Sequence, residues 1–136
     1  MANRPDRIVI DTNIFISFLI TNSFPKLFKL LESNKVILLF SEELLQEFLD
    51  VVKRPKLKKY FSEKEISKVL DGIQYYADYI EVYTNVNVCR DPNDNFLLAL
   101  CYDGKADYLI TGDEDLLVIK KYKQTSILKI SDYLKK

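Results

Sequence analysis

The chain predicts an α/β domain built around a mostly parallel sheet. Short apolar runs alternate with helix-period patterns from end to end, and no repeat or low-complexity linker interrupts the series. Only three glycines and four prolines punctuate it. At 136 residues the chain suits one domain over 1–136 with a full core, and is too short to suggest two.

The elements follow in order. An apolar run, Ile8-Val9-Ile10, marks a strand at 7–11, and helical patterns follow at 13–20 and 25–33. A second strand is expected at 36–39. Ser41 before Glu42-Glu43 then opens a helix at 42–53 whose buried face is Leu44, Leu45, Phe48, Leu49 and Val52. Ser62 before Glu63 opens another helix at 63–78, followed by a strand at 80–84. Asp91 before Pro92 starts a helix at 93–103. Strands at 107–111 and 126–129 close the series, with a short turn of helix near 114–119 between them.

Composition narrows the chemistry. Apolar residues make up 48% and charged residues 29%, the balance of an ordinary soluble globule. The longest apolar stretches, such as 14–20, fall far short of a bilayer span, and no signal peptide is visible, so no membrane association is expected. Cys89 and Cys101 have no zinc or disulfide spacing and read as reduced core thiols of a cytoplasmic protein. The absence of histidine removes Ser-His-Asp and Cys-His mechanisms and most zinc hydrolase sites. Carboxylates, hydroxyls, lysines or a metal must carry any reaction. Twenty basic residues balance twenty acidic ones, so no global field draws the chain to nucleic acid. Two local clusters, Lys53, Arg54, Lys56, Lys58 and Lys59 beside Tyr60, and Lys120 to Lys123, read equally as solvated surface or as phosphate contacts.

Four acids stand apart. Asp11 ends a strand, and Asp113 follows Tyr108-Leu109-Ile110-Thr111 in a Thr-Gly-Asp turn, so both belong at the carboxyl rim of the sheet, where open α/β sheets bind ligands. Glu47 borders the apolar face of its helix with no cation at the salt-bridging offsets. Asp94 has Leu97, Leu98 and Cys101 on its own face, where a bare carboxylate is very costly. Glu47 is left without a structural reading, whereas Asp11 and Asp113, and Asp115 beside it, can also be read as helix caps and Asp94 as an anion favoured by the helix dipole. Taken together, four unpaired acids at convergent positions favour a Mg2+ or Mn2+ site.

These residues resemble a known family. The Ile-Asp11-Thr-Asn opening, the helix with Glu47, the Asp91-Pro-Asn-Asp94-Asn95 helix start, and Lys-Ala-Asp-Tyr-Leu-Ile-Thr-Gly-Asp113-Glu-Asp115-Leu-Leu are together similar to the PIN domain over nearly the whole chain. The resemblance is nearest to small stand-alone members regarded as toxins of toxin–antitoxin pairs. It implies a three-layer α/β/α fold akin to 5′ nucleases and a Mg2+- or Mn2+-dependent ribonuclease. It further implies a metal site of Asp11, Glu47, Asp94 and Asp113, with Asp115 as a further ligand and Thr12, Asn13 and Thr111 orienting the acids or the water. RNA is the implied substrate, an antitoxin protein and a second copy the implied partners. One or two ions in such a site would activate a water for in-line attack, leaving 5′ phosphate and 3′ hydroxyl ends.

Other readings fit less well. A haloacid-dehalogenase phosphatase needs a second aspartate where Asn13 stands, and a response-regulator receiver needs adjacent acids after its first strand. The serious rival is a PIN-like binding module that docks a partner and cleaves little.

Overall fold

The computed structural model describes residues 4–21 and 24–135. Among these residues six strands form one sheet: β1 (Asp6–Ile10), β2 (Val36–Phe40), β3 (Ala77–Tyr79), β4 (Tyr108–Ile110), β5 (Lys121–Tyr122) and β6 (Thr125–Leu128). Their spatial order is β3-β2-β1-β4-β6-β5, parallel throughout except for the β5–β6 hairpin. Buried on both sides, the central strands are almost wholly aliphatic: Ile8, Val9, Ile10, Leu38, Leu39, Leu109 and Ile110 are all at or below 2% exposure.

Among the described residues eight α-helices connect or follow these strands: α1 (Thr12–Ile20), α2 (Phe24–Glu32), α3 (Glu42–Val52), α4 (Pro55–Lys58), α5 (Glu63–Tyr76), α6 (Asn95–Asp103), α7 (Glu114–Leu117) and α8 (Ile130–Leu134). From β1 the chain steps outward through β2 to β3, then crosses back to β4 and on to β6. Right-handed crossovers therefore place the helices of the two halves on opposite faces, giving the α/β/α layering. The reversal of direction falls between β1 and β4. At that seam, in phase, Ile8 pairs with Tyr108, Val9 with Leu109 and Ile10 with Ile110.

The expected start signals form as caps. Ser41 accepts a hydrogen bond from the Leu44 N–H, and Ser62 and Glu65 form a reciprocal capping box. Phe15 packs edge-on against Phe40 and Phe48, with ring centroids 5.9 and 5.3 Å away, which fixes α1 and α3 on the same face of β2.

One expected element moves. The strand at 80–84 is replaced by β3 at Ala77–Tyr79, because α5 ends at Tyr76 and the chain turns extended at once, with φ −84° and ψ 148° at Ala77. The Ile80 N–H still reaches the Phe40 carbonyl, and then the ladder stops. From there to residue 91 the chain is an irregular strap held by side chains of α6. Asp103 accepts from the Tyr83 and Thr84 N–H groups and the Thr84 hydroxyl, and Asn95 Oδ1 accepts from the Val88 and Cys89 N–H groups. The helices α4 and α8 and the strand β5 are too short to leave a periodic trace, and the sequence reading did not anticipate them. Among the described residues no helix is long and apolar enough to cross a membrane.

Gly104 sits where α6, β2 and the strap meet. A Cβ there would lie 2.9 Å from the Leu100 carbonyl oxygen, 3.0 Å from Leu39 Cδ1 and 3.1 Å from Ile80 Cγ1. Gly104→Ala is therefore expected to cost about 1–3 kcal/mol through overpacking, read as a lower urea midpoint at unchanged m-value. A midpoint equal to that of the unaltered protein would show that the junction is looser than these distances require.

Candidate metal centre

The seam between β1 and β4 delivers Asp11 and Thr111 to one rim. The Asp11 N–H bonds to the Ile110 carbonyl, and the buried Thr111 hydroxyl donates to Asp11 Oδ2 at 2.7 Å. The same hydroxyl accepts from the Asp113 N–H at 3.1 Å, so one threonine sets the spacing of two acids. Asp11 occupies the cap position of α1 without making a side-chain cap bond. At 8% exposure its carboxyl is pushed above the usual aspartate range by burial, against the Thr111 hydrogen bond, and further by the charge of Asp113.

Asp113 does cap α7, with Oδ1 accepting from the Asp115 N–H at 2.9 Å. Asp91 likewise caps a single 3-10 turn, Pro92–Asp94, that precedes α6. Asp94 is different. It stands at the cap position of α6 but makes no cap bond, and its Oδ2 is buried with no hydrogen-bond partner among the described residues. Its carboxyl instead lies close to that of Asp113. Burial, then the charge of Asp113 and the nearness of its carboxyl, raise Asp94 to about 7, with Asp91 and Asp11 adding to the shift. With both groups ionised the two carboxylates repel, and protonation of one relieves that repulsion. A divalent cation would resolve the same conflict, and carboxylate oxygens are the donors a hard cation takes.

Glu47, half-buried on α3, accepts a 2.5 Å hydrogen bond from the hydroxyl of Thr12, the residue after Asp11. The absence of a helix cation beside Glu47 is thus answered across the fold. Asp115 is tied to Asp113 through its own N–H and faces Arg90, whose Nη1 lies 3.8 Å from Asp115 Oδ1. Asn13 is exposed, and among the described side-chain hydrogen bonds none joins it to an acid; only its backbone helps to hold Asp11 ionised.

The structure therefore joins Asp94 to Asp113, ties Asp11 to Asp113 through Thr111, and links Glu47 to Asp11 through Thr12. It does not build a ready-made cage: among the described residues no three of these acids stand close enough to enclose an ion. Mg2+ is compatible with that arrangement, since it commonly takes one or two carboxylates and completes its shell with water. Lys53, Arg54, Lys56, Lys58 and Lys59 are all exposed, along the end of α3 and α4, with the Lys59 ammonium 5.2 Å from the Tyr60 ring centre. Arg90 escaped the sequence reading because it is a single cation outside the lysine runs. Its place next to the Asp91-Pro92 helix start was the available signal.

Comparison with known proteins places these features in context. A family model described as PIN domain matches residues 7–115, an interval that contains all five candidate acids. An uncharacterized protein of Methanocaldococcus jannaschii is 38% identical over 129 residues, covering 93% of this chain and 81% of the relative.

The raised Asp94 has a consequence for the metal-free protein. Between the unfolded pKa near 3.8 and the folded value of about 7, the native state holds more protons than the unfolded state, so stability falls as pH rises across this window. In EDTA the protein should be more stable at pH 5 than at pH 8, by on the order of 1 kcal/mol after discounting for solvent screening, read as a higher thermal midpoint at pH 5. Asp94→Asn should flatten that slope. An equally steep slope in the variant would place the repulsion elsewhere.

Proposed function

Because this chain belongs to the PIN domain family, a family of nucleases, we propose that it is a Mg2+- or Mn2+-dependent endoribonuclease whose metal ligands are Asp11, Glu47, Asp94 and Asp113. The observation that carries this reading is the buried Asp94 Oδ2 without a hydrogen-bond partner, on a carboxyl that lies close to that of Asp113 beside the β1–β4 seam. Such a pair weakens a fold unless a cation joins it.

When bound, the divalent ion supplies an activated water and relief of charge at the phosphate. The chain's own residues do the rest. Thr111 fixes Asp11 relative to Asp113, and Thr12 aims Glu47 towards the same rim. Asp115 adds a further acid at the mouth of the site. The exposed Lys53, Arg54, Lys56, Lys58 and Lys59 hold backbone phosphates without reading bases. A toxin role belongs to the same reading, with activity restrained by an antitoxin protein that covers the acidic rim. The rival reading, a binding module with little turnover, draws on one observation, the lack of an enclosed three-acid cage among the described residues.

Cleavage of end-labelled single-stranded RNA separates the two. Cutting should require Mn2+ or Mg2+, stop in EDTA, fall at least about a hundredfold in Asp94→Asn, and leave 5′ phosphate and 3′ hydroxyl ends. Cyclic phosphate ends, or a variant as active as the parent, would sink the assignment. Thr111→Val keeps the shape of a fully buried side chain but removes the donor to Asp11, and should cost roughly 10- to 100-fold in metal affinity or rate. A Thr111→Val protein with unchanged Mn2+ binding and rate would remove Thr111 from the site.

A further inference from the structure

We propose that Arg90 is a phosphate-gripping residue at the mouth of the acidic rim, released from Asp115 to hold the backbone of the bound RNA strand. This rests on the ribonuclease reading and adds a contact which that reading lacks. An RNA phosphate nearing Asp91, Asp94, Asp113 and Asp115 meets concentrated negative charge, and all four acids act electrostatically on Cys89, the residue beside Arg90. Among the described ion pairs, Arg90–Asp115 is the one that brings a cation to this set; the other two, Arg4–Asp107 and Arg7–Asp78, involve neither the candidate acids nor their neighbours.

The backbone and side chain of Arg90 are held very differently. The backbone is pinned on both sides: the Cys89 N–H bonds to Asn95 Oδ1 at 2.9 Å, and Asp91 caps the turn that follows. The side chain is 86% exposed, and its contact with Asp115 is long at 3.8 Å. An exposed pair of that length contributes little, so leaving it for a phosphate costs little. A guanidinium also presents a planar fork of donors that matches two phosphate oxygens, which an ammonium does not. By comparison Lys53 lies six residues beyond Glu47, about 9 Å along α3. The lysine cluster is thus placed to hold the strand farther from the acids, and Arg90 to hold it beside them.

The test is binding of a fluorescein-labelled oligouridylate by anisotropy in Ca2+, as a function of KCl, alongside Mn2+ titration and RNA cleavage. Arg90→Ala should bind roughly tenfold more weakly, with a log–log salt slope shallower by about 0.7, the value for one phosphate contact on a single strand. Arg90→Lys should fall between, Lys105→Ala should match the parent, and Mn2+ affinity in Arg90→Ala should hold or tighten because Asp115 loses a competing cation. Parent-like RNA affinity and salt slope in Arg90→Ala overturn the proposal. Loss of Mn2+ binding together with RNA binding also overturns it, since Arg90 would then order the site instead of touching phosphate. A parent protein that cuts no RNA but whose binding weakens in Arg90→Ala retains the phosphate contact and removes the nuclease reading. If the parent neither binds nor cuts RNA, both fall.

Discussion

The in-phase parallel pairing of β1 with β4 is the constraint on which the rest of the molecule hangs. Both strands run the same way and end level, at Ile10 opposite Ile110, so the residues that follow leave the sheet at one rim. A slip of one residue would exchange the faces of Val9 and Ile10 and separate the Thr111 hydroxyl from Asp11. The bonds between Arg7 and Asp107 at the amino ends of the two strands hold that register: the Arg7 N–H donates to the Asp107 carboxylate and the Asp107 N–H to the Arg7 carbonyl. With α6 packed against β1, Asp94 arrives at the same place from the opposite half of the chain.

The two ends of the sheet settle their charges in opposite ways. At the amino end, burial alone would raise Asp107, but the Arg4 guanidinium and the Arg7 N–H together hold its carboxyl below the usual range. Arg7 also reaches the Gly104 carbonyl and Asp78, and Tyr133 donates to Asp6. At the carboxyl end Asp94 has no such donor and rises instead. Residue type is the same and partners differ, so the amino rim secures the fold while the carboxyl rim keeps an affinity unspent.

Much of this was readable in the sequence, for identifiable reasons. Continuous apolar runs such as Ile8-Val9-Ile10 and Leu38-Leu39-Phe40 signal buried parallel strands, and Ser41, Ser62 and Asp91 mark the helix starts they cap. The structural reading of Asp91 and Asp113 as caps holds, and for Asp113 capping coexists with its contact with Asp94. The segment 80–84 misled because Ile80 and Val82 alternate with polar residues as a strand would, while the partners of its backbone are side chains of α6, which periodicity does not encode. The Thr12–Glu47 bond was equally hidden. Glu47 is recognisable as an acid without a local partner, but the identity of a partner 35 residues away depends on how α1 and α3 pack.

The strap from 80 to 91 has a bearing on how such a domain diversifies. Because it is clamped by Asp103 at one end and Asn95 at the other, and not zipped into the sheet, the residues between the clamps have no register to keep. Chain can be added beside Asn85 or Asn87, on either side of the core residue Val86, without shifting a strand, since lengthening a surface loop adds only slowly to its closure entropy. The strap is in that sense modular: its outline can change while the spacing of the carboxylates stays fixed by α6 and the β1–β4 seam.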